Sequence, residues 1–222
     1  MQRGIFAART VRALGFGVLA SLTPLAASAV GTMRITEWMY SGDEFVEFTN
    51  VGDQAMSLVG WSYDDDSRTP GSVLLDAFGS VDPGESVILS EADAADFRTA
   101  WSLGSQVSVI GGNTVNLGRS DEINLFDSSG TLVDRLTYSD QSIGGPRTQN
   151  QSANILPANL GANRADLALA SVSGDAFASV LSSSGYPGNP GVYVPESETA
   201  ALVAVGILVL AGARRGRVGS AA

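Results

Sequence analysis

The chain has 222 residues, 26 of them glycine, and it contains no cysteine, histidine or lysine. These absences exclude disulfides, thiolate and ordinary zinc sites, triads or dyads that need histidine or cysteine, and phosphate loops built on lysine. Residues 30–194 carry seven arginines against 21 acidic residues, and this net charge of −14 argues against a nucleic-acid partner, which needs basic patches.

The amino-terminal segment, residues 1–29, has the three parts of a secretory signal peptide. Three arginines precede an apolar run at residues 13–25, and Ala27 and Ala29 fit the small-x-small cleavage rule. The pattern predicts cleavage after Ala29 and export of the rest of the chain. An uncleaved amphipathic helix is the alternative.

Residues 35–61 contain the clearest strand pattern in the first half of the chain. Two runs of alternating apolar and polar residues flank a turn-prone Ser-Gly-Asp triplet, which predicts paired strands with one buried face. In the second run Val46 and Phe48 point to one side of the sheet, whereas Phe45 and Glu47 point to the other.

Short strands and one short helix are predicted from there to residue 138. The strands are expected at 73–75, 87–89, 107–110, 115–117, 123–127 and 131–138. The last two form a hairpin in which Gly130 supplies a positive φ. Ser90 is predicted to cap a helix that carries Phe97 and Trp101 at near-helical spacing. Many short strands with little helix predict an all-β sandwich.

Several motifs occur in the order found in lamin tail domains. They are Glu37 before an aromatic residue and the runs 43–50, 58–61, 83–85 and 121–125. The chain therefore resembles that family over residues 31–140, which we assign to a domain spanning 30–140. The resemblance implies an immunoglobulin-like β-sandwich of the secreted bacterial type, and it implies a fold more strongly than a function.

Residues 141–194 have weaker patterning and are rich in Asn, Gln, Ser, Ala and Gly. We predict a loop-rich extension packed on the sandwich, with a strand within 165–172. The glycine- and proline-rich residues 185–191 predict an extended linker at its end.

The carboxyl-terminal segment, residues 194–222, combines a short motif, an apolar run at 200–213 and an arginine cluster. The motif and the cluster consist of Val194, Pro195, Glu196, Arg214, Arg215 and Arg217. This order resembles the PEP-CTERM sorting signal of Gram-negative bacteria, although Ser197 replaces its second proline. The resemblance implies a sorting tail at 195–217, recognised by an exosortase-like enzyme, with a short helix in the inner membrane and its arginines cytoplasmic. The run is shorter than the ~20 residues of a spanning helix, so a buried core helix is the alternative.

Carboxylates are the groups left for acid–base chemistry such as glycoside hydrolysis. The candidates are Glu37, Glu44 and Glu47, and Glu47 is the most prominent because it lies within a strand between aromatic residues. We favour the interpretation that it faces outward or pairs with an arginine such as Arg34 or Arg135.

Asp64, Asp65 and Asp66 form an acidic turn with the oxygen ligands that calcium prefers, and Asp43 or Asp121 would complete such a site. The spacing lacks the regularity of a dedicated calcium loop, so a solvated turn is the favoured interpretation. No other cofactor is predicted.

The three tryptophans Trp38, Trp61 and Trp101 allow two interpretations. They could form a surface on which carbohydrate stacks, but in a sandwich buried tryptophans are more often part of the core. We favour the core.

Together these patterns predict an all-β, immunoglobulin-like sandwich with one short helix and terminal signal and anchor helices. The predicted function is a non-catalytic binding or structural module, exported and sorted to the cell envelope or the outside of a Gram-negative bacterium. An exopolysaccharide or a matrix protein is the expected partner. A calcium-dependent adhesion module and a carboxylate-based hydrolase are the alternatives.

Overall fold

Residues 30–193 are described by a computed structural model, and they fold as two β-sheets packed face to face. The predicted signal peptide and sorting tail lie outside the described residues. The strands of the described region are β1 (Met33–Met39), β2 (Phe45–Asn50), β3 (Met56–Ser57), β4 (Ser62–Asp64), β5 (Val73–Leu74), β6 (Ser80–Val81), β7 (Ser86–Ser90), β8 (Ser108–Ile110), β9 (Ser120–Phe126), β10 (Leu132–Ser139), β11 (Ala153–Asn154), β12 (Leu169–Ala170), β13 (Val180–Leu181) and β14 (Pro187–Gly188).

The larger sheet has six strands in the order β12-β11-β1-β2-β7-β8, and the smaller has four in the order β10-β9-β4-β5. Neighbouring strands are antiparallel except for β7 and β8. The predicted hairpin of β9 and β10 is confirmed, and Gly130 in its turn has a φ of 79°. Two short ribbons, β3-β6 and β13-β14, complete the described strands.

The main core lies between the two sheets and follows the predicted alternation. Val46 and Phe48 of β2 belong to it, whereas Phe45 points to the opposite face of the larger sheet. In β1 the alternation is interrupted, because Ile35 and Trp38 both face this core although they are three positions apart. A β-bulge at this point of β1 supplies the extra residue that such spacing requires.

A second apolar cluster lies on the other face of the larger sheet, beneath helix α1 (Ala94–Trp101). Phe97 and Trp101 of this helix pack on Phe45 with ring centroids 5.4 and 5.9 Å away. The predicted capping box is wrong: the residue before the helix is Asp93, no side chain caps it, and the Ser90 hydroxyl donates to the Glu44 carbonyl. No helix within residues 30–193 has the length and apolar character needed to cross a membrane.

The strand predicted at 115–117 is also wrong. Side chains, rather than a neighbouring strand, satisfy the backbone there: Asn113 Oδ1 accepts from the Val115 N–H and Glu44 Oε1 accepts from the Leu117 N–H. This segment is therefore a loop, and Glu44, the residue before β2, holds it against the core.

The residues after β10 enlarge the sandwich. β11 pairs with β1, β12 pairs with β11, and the first part of the strand predicted at 165–172 is instead a 3₁₀ turn, Ala165–Leu167. Two further 3₁₀ turns are Asp76–Phe78 and Pro157–Asn159. The predicted linker at 185–191 contains β14, which pairs with β13, so this segment is packed on the domain.

Candidate functional site

The most unusual side chains of the larger sheet are two glutamates that face each other across neighbouring strands. Glu37 of β1 is the register partner of Glu47 of β2, and both residues are completely buried. Directly opposed residues share a face of the sheet, so both carboxyl groups lie on the face away from the main core. We call them the buried glutamate pair.

Glu47 accepts hydrogen bonds at both carboxylate oxygens. The Thr36 hydroxyl donates to Oε1 over 2.6 Å, and the backbone N–H of Gly191 donates to Oε2 over 2.7 Å. Thr36 is in turn 2.8 Å from the Thr49 hydroxyl, which is 2.7 Å from the Ser86 hydroxyl. This row of hydroxyls lets each group donate toward Glu47, so its surroundings suit an ionised carboxylate.

Glu37 is satisfied at one oxygen only. Its Oε1 accepts from the Ser152 hydroxyl and, over 2.9 Å, from the backbone N–H of Asn189. Its Oε2 is buried without a hydrogen-bond partner, and so is Oδ1 of Asn154, the residue directly opposite Glu37 on β11. Two unpartnered acceptors therefore belong to cross-strand neighbours.

Burial raises the pKa of Glu37 well above its ordinary value, and the neighbouring charge of Glu47 raises it further. Burial also raises the pKa of Glu47, although the bonds from Thr36 and Gly191 act against this. None of the ion pairs within residues 30–193 includes either glutamate. Glu47 therefore lies on the outer face of its sheet, as the favoured prediction had it, but it is buried there and pairs with no arginine of residues 30–193.

The two arginines proposed as partners of Glu47 have other roles. Arg34 donates to the carbonyls of Met33 and Val133. Arg135 donates to Asn124 and lies 3.5 Å from the Glu122 carboxylate. Arg34 thus links β1 to β10, whereas Arg135 bonds within the smaller sheet. Sequence spacing did not reveal which face of which sheet each charge meets.

Residues 187–193 form the cover of the buried glutamate pair, and we call them the closing segment. Their backbone donates to both carboxyl groups, at Asn189 and at Gly191. A Cβ atom at Gly188 would lie 2.8 Å from a Trp101 ring carbon and 3.1 Å from Glu37 Oε1, so the segment approaches the sheet as closely as glycine allows. A glycosidase places its two carboxyl groups on either side of a substrate. In this protein the closing segment, rather than an open substrate groove, lies against the two carboxyl groups.

The contributions of Ser152, Asn189 and Gly191 were missed from the sequence. All three come from the extension, far along the chain from the glutamates they contact. The Pro-Gly-Asn-Pro-Gly run around Asn189 was the available sign, since glycine also marks close backbone approach.

A second acidic site is an open cleft of about 290 Å³ at the surface of the smaller sheet. We call it the acidic cleft, and its lining residues are Asp66, Arg68, Ser120, Asp121, Glu122 and Thr137. Arg68 donates two bonds to Glu122, of 2.6 and 2.7 Å, and these lower the pKa of Glu122 to about 2. Burial raises the pKa of Asp121, although the N–H groups of Gly118 and Glu122 donate to it.

The structure brings Asp121 near Asp65 and Asp66 but places Asp43 against the extension. Asp66 and Asp121 share the acidic cleft, Asp65 accepts from the Ser67 N–H, and Asp43 lies near Ser184 of the extension. No group of three or more acidic residues within 30–193 is arranged to hold a metal ion. Calcium binding stays a prediction, which unfolding of the full-length chain with EDTA and with millimolar calcium would test.

Asp64 serves its own loop. Its Oδ2 accepts from the Ser67 hydroxyl and from the Thr69 N–H, both over 2.6 Å. Burial opposes ionisation of Asp64, but these hydrogen bonds outweigh it and lower the pKa. The carboxylate therefore acts as the internal brace of the turn that carries Arg68 to Glu122.

The three tryptophans are all buried, with exposed fractions of 0% for Trp38, 8% for Trp61 and 3% for Trp101. The favoured core interpretation is confirmed. An exposed platform on which sugar rings stack is not formed by these side chains.

A mostly apolar cavity of about 230 Å³ lies where the extension meets the end of β2. It is lined by residues 49–52, Gly84, Pro157, Leu160 and Tyr193. The cavity is small enough to suit a single aliphatic or proline-like group.

A family model for the lamin tail domain matches residues 26–140, just over half of the chain. No curated protein matches the chain. The matched span includes β1 to β10 and ends before β11 to β14. The family match therefore contains both glutamates of the buried pair, but not the residues that cover them.

Proposed function

Because the chain belongs to the lamin tail domain family, whose immunoglobulin-like fold is non-enzymatic, we propose that it is an exported binding or structural module without catalytic activity. It is displayed at the cell envelope of a Gram-negative bacterium. The fold supports the modular role, and the patterns at the two ends of the chain support export and display.

Inaccessibility of the buried glutamate pair is the observation that carries the non-catalytic assignment. Glu37 and Glu47 are the carboxyl groups of residues 30–193 that most resemble an acid–base pair, since they oppose each other and have raised pKa values. Both are fully buried, and the closing segment lies over them. A substrate would have to displace part of the domain to reach them.

Export and sorting rest on the sequence. The pattern ending at Ala29 supports a signal peptide, and the apolar run followed by arginines supports a tail that an exosortase-like enzyme recognises in the inner membrane. Arginines beyond the apolar run favour the cytoplasmic side of the membrane. The strongly acidic body, which precedes that run, would therefore lie on the outside.

The acidic cleft is the surface best suited to a partner. Asp66 and Asp121 offer acceptors, and Arg68 offers the N–H groups that do not bond Glu122, and such a mixture hydrogen-bonds the hydroxyl groups of a polysaccharide. An exopolysaccharide is therefore the favoured partner, with a matrix protein as the other candidate.

Fractionation of cells that express the tagged full-length chain tests the location. We expect the protein in the envelope or the medium, a chain lacking residues 2–29 in the cytoplasm, and a chain ending at Tyr193 in the periplasm or medium without sorting. Cytoplasmic wild-type protein would overturn the proposal. Sedimentation with exopolysaccharide from the same cells tests binding, and we expect R68Q to weaken it, with R164Q as the control outside the cleft.

A further inference from the structure

The closing segment is held partly by the two glutamates and partly by bonds at its ends, where the Pro187 carbonyl accepts from the Ser152 N–H and the Tyr193 hydroxyl donates to the Ile155 carbonyl. The N–H of Asn189 donates to Glu37 and the N–H of Gly191 donates to Glu47. Asn189 adds side-chain bonds with Asn154 and with the carbonyl of Val192. The state of the two carboxyl groups therefore affects the centre of this segment, at Asn189 and Gly191, and this property is separate from the proposed function.

The hydrogen-bond pattern tells the two carboxyl groups apart. The hydrogen-bond partners of Glu47, the Thr36 hydroxyl and the Gly191 N–H, both donate to it, which suits the charged form. Glu37 leaves Oε2 unpartnered, and Oδ1 of Asn154, the residue opposite it on β11, is unpartnered as well. A proton on Oε2 would give Glu37 a donor and Asn154 a partner, and would resolve both buried vacant acceptors at once.

We propose that Glu37 keeps its proton after Glu47 has ionised, and that loss of the Glu37 proton at higher pH releases the closing segment from the sheet. The step is a simple ionisation: the O–H bond at Oε2 breaks, the proton passes to water, and the electron pair stays on the carboxylate. We call the two glutamates and the closing segment the latch. It is closed while Glu37 keeps its proton, and it opens as the pH rises.

Repulsion between the two carboxylates drives the opening, because the side chains packed around them supply no positive charge to offset it. The charged group that acts on Glu37 besides Glu47 is Asp175, a third acid, held by N–H groups of its own loop. β7 contributes Ser86, β11 and its flank contribute Asn154 and Ser152, and α1 contributes Trp101. None of these side chains carries a positive charge.

The helix that packs on this face does not neutralise the pair either. Its basic residue, Arg98, donates to the carbonyl groups of Gly104 and Val107 instead. Two opposed carboxylates in a dry, cation-free environment strongly disfavour double ionisation. Lifting the closing segment would admit water to both carboxylates and so relieve the repulsion.

One consequence rests on the proposed function. The closing segment ends at Tyr193, immediately before the predicted sorting tail. When it is released, its seven residues can extend by up to about 23 Å at ~3.3 Å per residue. An opened latch would thus lengthen the connection between the displayed domain and the membrane.

Hydrogen–deuterium exchange of the full-length chain between pH 5 and pH 9 tests the latch. The informative amides are those of Asn189 and Gly191, compared at each pH with the variant E37Q, which keeps the shape but cannot ionise. We expect the wild-type to E37Q ratio of exchange rates to rise with pH, by up to about tenfold per pH unit above the transition. E44Q, which changes a buried glutamate bonded to Leu117, is the matched control and should leave this rise unchanged.

Two further outcomes decide between the glutamates. E47Q should expose the same amides at every pH, because its amide group cannot accept at both positions that Thr36 and Gly191 occupy. Equal behaviour of E37Q and E47Q, or a ratio that stays flat, would overturn the proposal. If E37Q does not fold, infrared titration of E44Q decides: a protonated carboxyl band must persist at pH 7 and disappear together with amide protection. These readouts do not depend on where the protein is located.

Discussion

Glu47 in the larger sheet and Glu122 in the smaller sheet are both strand glutamates, yet their surroundings are opposite. Arg68 and Arg135 lie against Glu122 at the edge of an open cleft, and the Arg68 bonds hold the pKa of Glu122 near 2. Glu47 pairs with no arginine of the described region, lies against Glu37, and is fully buried, which raises its pKa. The comparison shows that the strand position of an acid does not fix its chemistry. Its cover and its partners do.

Removing each carboxylate should show the largest difference between the two sites. Glu47→Ala leaves the Gly191 N–H without its acceptor and creates a void, whereas Thr36 keeps its contact with Thr49. We therefore expect a loss of about 2–4 kcal/mol in the free energy of unfolding. Glu122→Ala leaves arginines that can turn to water, and we expect about 1–2 kcal/mol. Denaturant unfolding of the full-length chain measures both, and equal losses would contradict the comparison.

The two sites should also respond to pH in opposite directions. A carboxyl group whose pKa is raised in the folded state retains its proton longer than in the unfolded chain. Its contribution is therefore complete below the unfolded value near 4.5 and is lost as pH rises through the folded value, at up to about 1.4 kcal/mol per pH unit. This applies to Glu37, to Glu47 and to Glu44, whose pKa burial raises to about 7.

Glu122 behaves in the reverse way, since its pKa is lowered. Its contribution is present above pH 4.5 and is lost as pH falls toward about 2. We expect the melting temperature of the wild-type chain to be highest near pH 5 and to decline toward pH 8. E37Q should flatten the alkaline decline, and an unchanged slope in that variant would contradict the assignment.

A steric change at the closing segment should have an intermediate effect. In Gly188→Ala the new Cβ would lie 2.8 Å from Trp101 and 2.9 Å from Ser152 Oγ, so we expect a loss of about 1–3 kcal/mol and faster exchange at Asn189. Gly185→Ala is the control, because it places a side chain in open space at a φ of 80° and costs only backbone strain of about 1 kcal/mol. Protection at Asn189 that survives Gly188→Ala would contradict close packing of this segment.

The smallest effect is expected at the surface ion pair. Arg68 is half exposed, so Arg68→Gln should lower the melting temperature at pH 7 by only about 1–3 °C. The same variant should raise the pH at which the chain unfolds in acid, because the pKa of Glu122 loses its main cause of lowering. Differential scanning calorimetry at pH 3 and pH 7 separates the two effects, and equal shifts at both values would count against an electrostatic role.

Local patterns in the sequence were sufficient for much of the fold. Alternation in β2 and in the hairpin of β9 and β10 predicted strands and their buried faces, because side-chain direction follows directly from sequence period. The spaced motifs predicted the lamin tail domain family, which the family match confirms. The burial of all three tryptophans followed from the same pattern.

The tertiary structure alone decided the site. The bulge in β1 shifts the register by one residue after Ile35, and this shift places Glu37, rather than Thr36, opposite Glu47. A one-residue slip changes the face of every following side chain, and no local pattern announced it. The cover came from residues 187–193, which read locally as a linker because glycine and proline mark both flexible chain and close backbone contact. The sequence by itself therefore determined the sandwich, whereas the bulge and the distant closing segment decided that two of its acids would be buried together.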